Sequence, residues 1–489
     1  MISFKQDNHI LNRRLWFSLA AVAIMLFLMF GRLNHYLFLS LYESNYYRLG
    51  IPAMVAVYLA LRGFQDGTEM KILILYMIWA VLSRIMNGDR FLVIEGDYLI
   101  DLSTMILLFA PGILLHRSER DKLFNIVSGI IIVFYLIMAI ICIYSAATRS
   151  FLENPIDYRG IGYPPGDTEG RLYFLSYQWN ETAGQFMIAF GLCLMLSFRT
   201  QNSILRTGFL LAAAADFAVV GLTVSRNGQT CVCIIAGIFL GILVLNYMSE
   251  QALWKRIAVF FAVSIMGMVL LYQLFEPVRY GIWQLYQSRQ TIEVAEQNNL
   301  AYDSSTEKEI YFVKDVNNEH REKETGTSTG DTSQGYSSDD RAYLESGRKQ
   351  IFWSAIKSLQ LEPKRLLIGS GYYHVMDISH SLIEEQAKHF HNTFLQVVNE
   401  FGLIGLGLVI WFYMRMLICS FTVVFKAGKR IPTEEKMLVM LPLALMFYYM
   451  LEVGIFKIVD RADFRYTFFY FICGILVGTM RERLMSETE

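Results

Sequence analysis

The part of the sequence best equipped for chemistry lies at the start of a long apolar run, 393 to 421. It reads His389-Phe390-His391-Asn392-Thr393-Phe394-Leu395-Gln396 and continues as Asn399-Glu400-Phe401-Gly402-Leu403-Ile404-Gly405. An imidazole titrates near neutral pH, so His391 at a boundary between water and lipid could accept a proton from a hydroxyl group as a general base. The alternative is that this histidine serves only as an interfacial anchor.

Two arginines elsewhere in the sequence could hold phosphate. Arg226 stands in the turn Ser225-Arg226-Asn227-Gly228 between two apolar runs, and Arg348 opens an amphipathic stretch that ends before Pro363. A guanidinium keeps its charge and binds phosphate oxygens through a rigid fork, so either residue could stabilise a departing diphosphate. Simpler roles stay open: Arg226 could compensate the dipole at a helix carboxyl terminus, and Arg348 could be a solvated residue on a helix surface.

Four further residues are accessory candidates. His389 could share the proton-accepting role. Arg159 and Arg171 lie among tyrosines and tryptophans that could stack on sugar rings, although an interfacial aromatic belt explains the pattern equally well. Asp216 falls in the middle of an apolar run, where a carboxylate is costly unless paired, and a contact between helices is its favoured role. No metal or other cofactor is expected, because guanidinium groups can balance the charge of the leaving group.

The elements that must position these residues are hydrophobic helices. The chain of 489 residues is 54% hydrophobic and only 18% charged, which is too apolar for a soluble domain. Its net charge of -1 argues against a nucleic-acid-binding protein. Apolar runs that could cross about 30 Å of hydrocarbon occur at 15–31, 49–62, 70–86, 98–115, 124–146, 181–198, 207–224, 229–247, 256–275, 393–421, 437–456 and 466–480. The sequence therefore predicts an all-α polytopic membrane protein with about twelve transmembrane helices.

Lysine and arginine are distributed unevenly among the loops that join these runs. Placing the amino terminus in the cytoplasm puts the most basic loops and the carboxyl-terminal tail inside, as the positive-inside rule requires. Both termini then lie in the cytoplasm. The same arrangement places Arg226, Arg348 and His391 together on the extracytoplasmic face.

Three regions follow from this arrangement. Residues 1–275 hold membrane helices 1 to 9, residues 276–392 form a large extracytoplasmic loop containing short helices, and residues 393–489 hold membrane helices 10 to 12. Within the loop, 296–347 is rich in polar and charged residues and cannot bury enough apolar surface to offset chain entropy, so disorder is expected there. Order is expected to return at Gly347, where apolar residues recur at helical spacing.

The motif His-Asn-x-x-Leu at 391–395, followed by Glu-x-Gly-x-x-Gly at 400–405, resembles the shared region of the O-antigen ligase and polysaccharide polymerase superfamily. In that superfamily the motifs mark the entry to a membrane helix. The resemblance extends upstream through Gly369-Ser370-Gly371 to Gly347-Arg348 and covers roughly a quarter of the chain. The turn Ser225-Arg226-Asn227-Gly228 is similar to the family's Ser-Arg-Gly turn, with Asn227 inserted between arginine and glycine.

The resemblance implies a GT-C-like fold and an enzyme that transfers a glycan from an undecaprenyl diphosphate carrier to an acceptor sugar hydroxyl. By motif match, His391 would activate the acceptor, and Arg226 and Arg348 would bind the diphosphate. The implied setting is the bacterial cytoplasmic membrane. The implied partners are the undecaprenyl-diphosphate-linked oligosaccharide, the acceptor glycan, the lipid bilayer and other membrane proteins of polysaccharide assembly, with no nucleic acid.

Several functions stay open at this point. Polymerisation of surface-polysaccharide repeat units is favoured over ligation of a finished chain to another acceptor, but the sequence does not decide between them. A glycolipid flippase or exporter would also have about twelve helices. It would need a polar path through the bundle, and Asp216 is nearly alone as a mid-span charge. A membrane sensor would need a signalling domain, for which the tail after Arg483 is too short.

Overall fold

The computed structural model of the chain is predominantly helical. It describes residues 3–30, 50–56, 58, 67–88, 97–154, 157–163, 171–175, 179–248, 250–285, 340–360, 363–371, 390–426, 431–451 and 464–485. Each apolar run found in the sequence coincides with a described helix or with part of one. Of the second run, 49–62, the helical residues 50–56 and 58 are described, and the others lie outside the described residues.

The helices are numbered in chain order. Before the long loop they are α1 (Ser3–Phe30), α2 (Gly67–Met86), α3 (Asp97–Leu114), α4 (Arg117–Thr148), α5 (Trp179–Arg199), α6 (Ser203–Leu222), α7 (Arg226–Tyr247) and α8 (Leu253–Tyr272). From the loop onward they are α9 (Asp340–Gln360), α10 (Pro363–Ile368), α11 (Thr393–Phe421), α12 (Thr433–Lys436), α13 (Met440–Leu451) and α14 (Phe464–Met485). A π-helical segment, Thr422–Lys426, extends α11, and a 3-10 turn, Met437–Val439, joins α12 to α13.

Six helical segments in the described part of the chain are long and apolar enough to cross a bilayer. They are Arg117–Thr148, Trp179–Arg199, Ser203–Leu222, Arg226–Tyr247, Leu253–Leu285 and Thr393–Lys426. The chain is therefore a largely helical membrane protein, as its composition predicts. The finer expectations, about twelve spans and a GT-C-like arrangement, stay predictions.

A small antiparallel sheet between α4 and α5 departs from the all-α expectation. Its strands are β1 (Phe151–Asn154), β2 (Asp157–Gly162) and β3 (Tyr173–Phe174), in the order β1-β2-β3. Arg149 adopts the left-handed conformation that ends α4 and turns the chain toward β1. Strands this short, next to Pro and Gly, carry too little alternation of apolar and polar residues for a sequence pattern to reveal them.

One end of the helix bundle is held together by arginines paired with acidic residues of other helices, and it is termed the basic end. The pairs are Arg415–Glu69, Arg481–Glu69, Arg117–Glu435, Arg483–Glu435 and Arg120–Glu482. Glu69 and Glu435 are almost fully buried, and a buried charge is tolerated only when it is paired. These bridges therefore fix the ends of α2, α4, α11, α12 and α14 relative to one another.

Glycines let α3 and α14 pack backbone against backbone. A Cβ atom at Gly474 would overlap the Phe109 carbonyl, and one at Gly478 would overlap the Gly112 carbonyl. Small residues spaced four apart are the usual solution for close helix contact in lipid, where apolar side chains gain nothing by leaving the hydrocarbon. The contact between these two helices depends on their glycines.

Of the long loop, 276–392, the structure describes 276–285, which is helical, and 340–360, 363–371 and 390–392. α9 begins at Asp340, so residues 340–347, for which disorder was expected, are helical, and the rest of 296–347 lies outside the described residues. The short helices expected in this loop are α9 and α10. Ile351 and Ala355 of α9 are buried, which follows from the apolar spacing seen in the sequence.

Replacing Gly478 by alanine tests the contact between α3 and α14. Gly478→Ala should destabilise the protein by about 1–3 kcal/mol, because the added methyl group meets a main-chain carbonyl that cannot move aside. Gly407→Ala is the matched control, since its Cβ position is open, and it should be neutral or stabilise by at most about 1 kcal/mol. Thermal unfolding in detergent measures both variants, and equal Tm values would contradict this packing.

Candidate functional site

Side chains from the starts of two other helices converge on the last turn of α13. From α7, Asn227 Nδ2 donates to the Tyr448 carbonyl oxygen at 3.1 Å. From the start of α11, Thr393 Oγ1 donates to the Tyr449 carbonyl oxygen at 2.6 Å. Next to it, Asn392 Nδ2 donates to the Met450 carbonyl oxygen at 3.0 Å. These bonds tie the starts of α7 and α11 to the backbone of α13. The starts of α7 and α11 therefore both lie against this part of α13, at the same end of the bundle. This region lies at the opposite end of the bundle from the basic end. It carries the candidate site residues and is termed the site end.

Arg226 is the first residue of α7, and its side chain is exposed at the site end. Ser225 caps the helix by accepting a hydrogen bond from the Gly228 amide at 3.2 Å, and its hydroxyl donates to Asn180 Oδ1 at 2.6 Å. Within the described chain the Arg226 guanidinium has no hydrogen-bond or ion-pair partner. Its charge stands at the positive end of the α7 dipole, so it gains nothing from that dipole.

Arg465, in the first turn of α14, is a residue of the site end that motif analysis did not select. It is 7% exposed, and its Nη1 donates to the Tyr448 hydroxyl at 2.6 Å while Nη2 lies 3.5 Å from Glu181 Oε1. The Tyr448 hydroxyl in turn donates to the Asn180 carbonyl oxygen at 2.6 Å. This network joins α5, α13 and α14 behind the start of α7. The sequence signal was weak, a single arginine beside an aromatic-rich apolar run.

His391 is half-buried and has a left-handed backbone with a φ of +50°. This conformation costs a residue with a side chain about 1–2 kcal/mol, so neighbouring contacts must impose it. On one side the Phe390 amide donates to Gln396 Oε1 at 3.0 Å, and Gln396 Nε2 donates to Glu400 Oε1 at 2.5 Å. On the other side Asn392 caps α11 through its side chain. The backbone that carries the imidazole is therefore held from both directions.

Other left-handed residues occur at this end of the bundle. In the described part of the chain the residues other than glycine with positive φ are Arg149, Leu175, Val224 and His391. Val224 comes two residues before Arg226, so both candidate groups lie beside or within strained backbone. Strain of this kind persists only where the surrounding structure demands it, and it concentrates at functional sites.

Arg348 lies in α9, and its side chain is outside the described residues. Ile351 and Ala355, which follow it on the same helix, form a buried apolar cluster with Phe390, the residue before His391. The structure thus places α9 against the turn that carries His391, with Arg348 about one helical turn from that contact.

The Glu-x-Gly-x-x-Gly motif marks a break in α11. Gly402 has a φ of +69°, and the break leaves the carbonyls before it without helical partners. Other groups donate to these carbonyls instead. The Ser370 amide donates to the Asn399 oxygen at 2.8 Å, and the Gly371 amide donates to the Glu400 oxygen at 3.2 Å. The Trp79 indole donates to the Phe401 oxygen at 2.8 Å. A Cβ atom at Gly402 would also overlap the Leu367 carbonyl. The Gly369-Ser370-Gly371 turn therefore completes the broken helix behind His391.

Of the two arginines that lie among tyrosines and tryptophans in the sequence, the structure describes the side chain of Arg171 but not that of Arg159. The Arg171 guanidinium lies over the Trp179 ring, 3.8 Å from its centroid, an arrangement that suits an interfacial aromatic pair as well as sugar binding. Arg159 belongs to β2, and its side chain is outside the described residues. His389 also lies outside them.

Asp216 is buried in α6, where the Cys193 thiol of α5 donates to its Oδ2 at 3.8 Å. This weak bond is a contact between two helices, which agrees with the structural role favoured for Asp216. Among the described residues, no group of three or more His, Cys, Asp and Glu side chains is placed to hold a metal ion.

Gln396→Leu tests the link between Glu400 and the His391 turn. The change leaves the buried Phe390 amide and the Glu400 carboxyl without their glutamine partner, so we expect a loss of about 1–3 kcal/mol of stability. Diethyl pyrocarbonate should also modify His391 faster, because the turn loosens. Thermal unfolding and mass spectrometry of the modified peptide measure the two effects.

Gln185→Leu is the matched control for this experiment. Gln185 is equally buried, but within the described chain its Nε2 has no hydrogen-bond partner, and its Oε1 accepts only a 3.5 Å bond from Tyr135. Little stability should be lost, and His391 should react at the wild-type rate. Equal losses in both variants, with unchanged His391 reactivity, would contradict the positioning role of Gln396.

No known protein-family model matches the chain, and no curated protein sequence matches it. The resemblance of its motifs to the O-antigen ligase and polysaccharide polymerase superfamily therefore rests on the residues at 225–228, 347–348, 369–371 and 391–405. Its function is inferred from these residues and from the geometry of the site end.

Proposed function

We propose that the chain is a membrane glycosyltransferase that moves a glycan from a polyprenyl diphosphate carrier to an acceptor hydroxyl group. The observation that carries this proposal is the docking of the α7 and α11 starts on the last turn of α13. Asn227, next to Arg226, and Asn392, next to His391, bind carbonyls of the same turn. A cation for the diphosphate and a base for the hydroxyl group are the two groups that this transfer needs.

In the proposed step His391 takes the proton of the acceptor hydroxyl as the hydroxyl oxygen attacks the anomeric carbon of the donor sugar. The bond between that carbon and the diphosphate oxygen breaks, and the diphosphate leaves with the bonding electrons. Arg226 stabilises the charge that develops on the leaving group, and Arg348 of α9 is the second guanidinium proposed for this role. The protonated imidazole then releases its proton to water.

The proposed donor is an undecaprenyl-diphosphate-linked oligosaccharide in the bacterial cytoplasmic membrane. The distribution of arginines supports an orientation with both termini in the cytoplasm, because the basic end would face inward and the site end outward. The proposed acceptor is a glycan, and elongation of lipid-linked repeat units is favoured over ligation to a different acceptor. Other membrane proteins of polysaccharide assembly are candidate partners.

His391→Ala should abolish transfer, because a general base contributes about 10²–10⁴-fold to the rate of such a step. Arg226→Lys should also be impaired, since a point charge replaces a two-pronged donor. The assay supplies the purified protein in lipid nanodiscs with a defined polyprenyl-diphosphate-linked oligosaccharide. Mass spectrometry then measures the longer lipid-linked products.

His116→Ala and Arg206→Lys are matched controls. Both residues are exposed and lie at the basic end, His116 before α4 and Arg206 in the first turn of α6. Both variants should transfer glycan at the wild-type rate. Full activity of His391→Ala would remove the general-base role, and full activity of Arg226→Lys would show that the fork is not needed.

A further inference from the structure

The basic end contains two buried cations that belong to neighbouring elements. Arg256 lies in the first turn of α8, and Lys436 is the last residue of α12. Phe260, one turn after Arg256, packs on Phe425 of the π-helical segment with ring centroids 5.2 Å apart. This contact brings the start of α8 against the segment that leads to α12.

Neither cation is paired with a described residue. Arg256 is 8% exposed and Lys436 is 5% exposed, and within the described chain neither charged group has a hydrogen-bond or ion-pair partner. Arg256 Nε is fully enclosed without a hydrogen bond. The arginines at 117, 120, 415, 481 and 483, at the same end of the bundle, each have a carboxylate within ion-pair distance.

The nearby acidic residues do not compensate this pair of cations. Glu435 precedes Lys436, but its carboxylate is already shared by Arg117 and Arg483. Glu434 is partly exposed and forms no ion pair within the described residues. Neither Glu434 nor Glu435 therefore offsets the charge of Arg256 and Lys436. Lys255 and Lys426, which are exposed, add positive charge next to the starts of α8 and α12.

Such an arrangement is costly when it holds no anion. Taking an unpaired charge out of water costs more than apolar contacts of its stem return, and two like charges add repulsion to that cost. Burial lowers the pKa of Lys436, and the positive charge of Arg256 lowers it further. An anion bound to both groups would remove the repulsion and supply the missing hydrogen-bond acceptors.

We propose that Arg256 and Lys436 form a binding site for a phosphate group. The guanidinium offers a planar fork for two phosphate oxygens, and the ammonium adds a point charge. Basic pockets between membrane helices bind the phosphate headgroups of anionic lipids, and a soluble phosphate offers the same chemistry. This site is at the opposite end of the bundle from His391 and does not rest on glycosyl transfer.

The test compares two double variants of the full-length protein purified in a non-ionic detergent. Arg256→Gln with Lys436→Gln removes the site, and Lys255→Gln with Lys426→Gln removes the same charge from exposed neighbours. Tm is measured with added phosphatidylglycerol, with added phosphatidylcholine, and with inorganic phosphate against chloride at equal ionic strength.

Phosphatidylglycerol or inorganic phosphate should raise the Tm of the wild type and of the exposed-pair variant by a few degrees and should leave the site variant unchanged. Phosphatidylcholine, whose phosphate is balanced by its own ammonium group, should shift none of them. Without a probe the site variant should be at least as stable as the wild type, because two uncompensated charges are gone. A response to phosphatidylglycerol alone identifies a lipid headgroup as the ligand. A response to inorganic phosphate as well identifies a site open to soluble phosphate.

Two results would overturn the proposal. One is a site variant whose Tm rises with these probes as much as that of the wild type. The other is a wild type whose Tm rises with neither phosphatidylglycerol nor inorganic phosphate. If the double variant does not fold, Lys436→Gln alone serves instead. It keeps the guanidinium, and it should reduce the shift that the probe produces relative to Lys426→Gln.

Discussion

Hydrogen bonds from side chains of two helices to the backbone of a third, α13, hold the site end of this protein together. Three consecutive carbonyls, at 448 to 450, accept hydrogen bonds from side chains at the starts of α7 and α11. The bond from Thr393 to the Tyr449 carbonyl is buried, so separating α11 from α13 would leave the threonine hydroxyl group without this partner, which costs about 1–3 kcal/mol. The relative position of Arg226 and His391 depends on this contact.

The arginines at the two ends of the bundle have different partners. At the basic end most guanidinium groups are tied to carboxylates of other helices and serve to fix the helix ends. At the site end Arg465 is buried and bonded to Tyr448, whereas Arg226 in front of it is exposed and has no partner within the described chain. The buried Arg465 thus supports, through Tyr448 and Asn180, the backbone next to the exposed Arg226. Arg256 and Lys436 are exceptions at the basic end, and the proposed phosphate site rests on this difference.

The sequence predicts the elements of this protein better than their contacts. The run 181–198 corresponds to Trp179–Arg199 and the run 70–86 to Gly67–Met86, because hydrophobic length and charged flanks act locally. The motif at 391–405 identified His391, and the structure adds that its glycine at 402 permits a helix break. Arg465 could not be found in this way, because its partners Asn180 and Tyr448 belong to other helices and no local pattern records such contacts. The sheet was missed because its strands are short.

The central claim is that the starts of α7 and α11 meet at one end of the bundle. The most direct test is an intramolecular cross-link between Arg226→Cys and His391→Cys by a short, membrane-impermeant bis-maleimide, in a chain whose six native cysteines are buried. This pair should form the cross-link. Arg226→Cys paired with Lys255→Cys, at opposite ends of the bundle, should not. Single labelling of cysteines 226 and 391 without a cross-link, or labelling of one of them only after the membrane is opened, would contradict the claim.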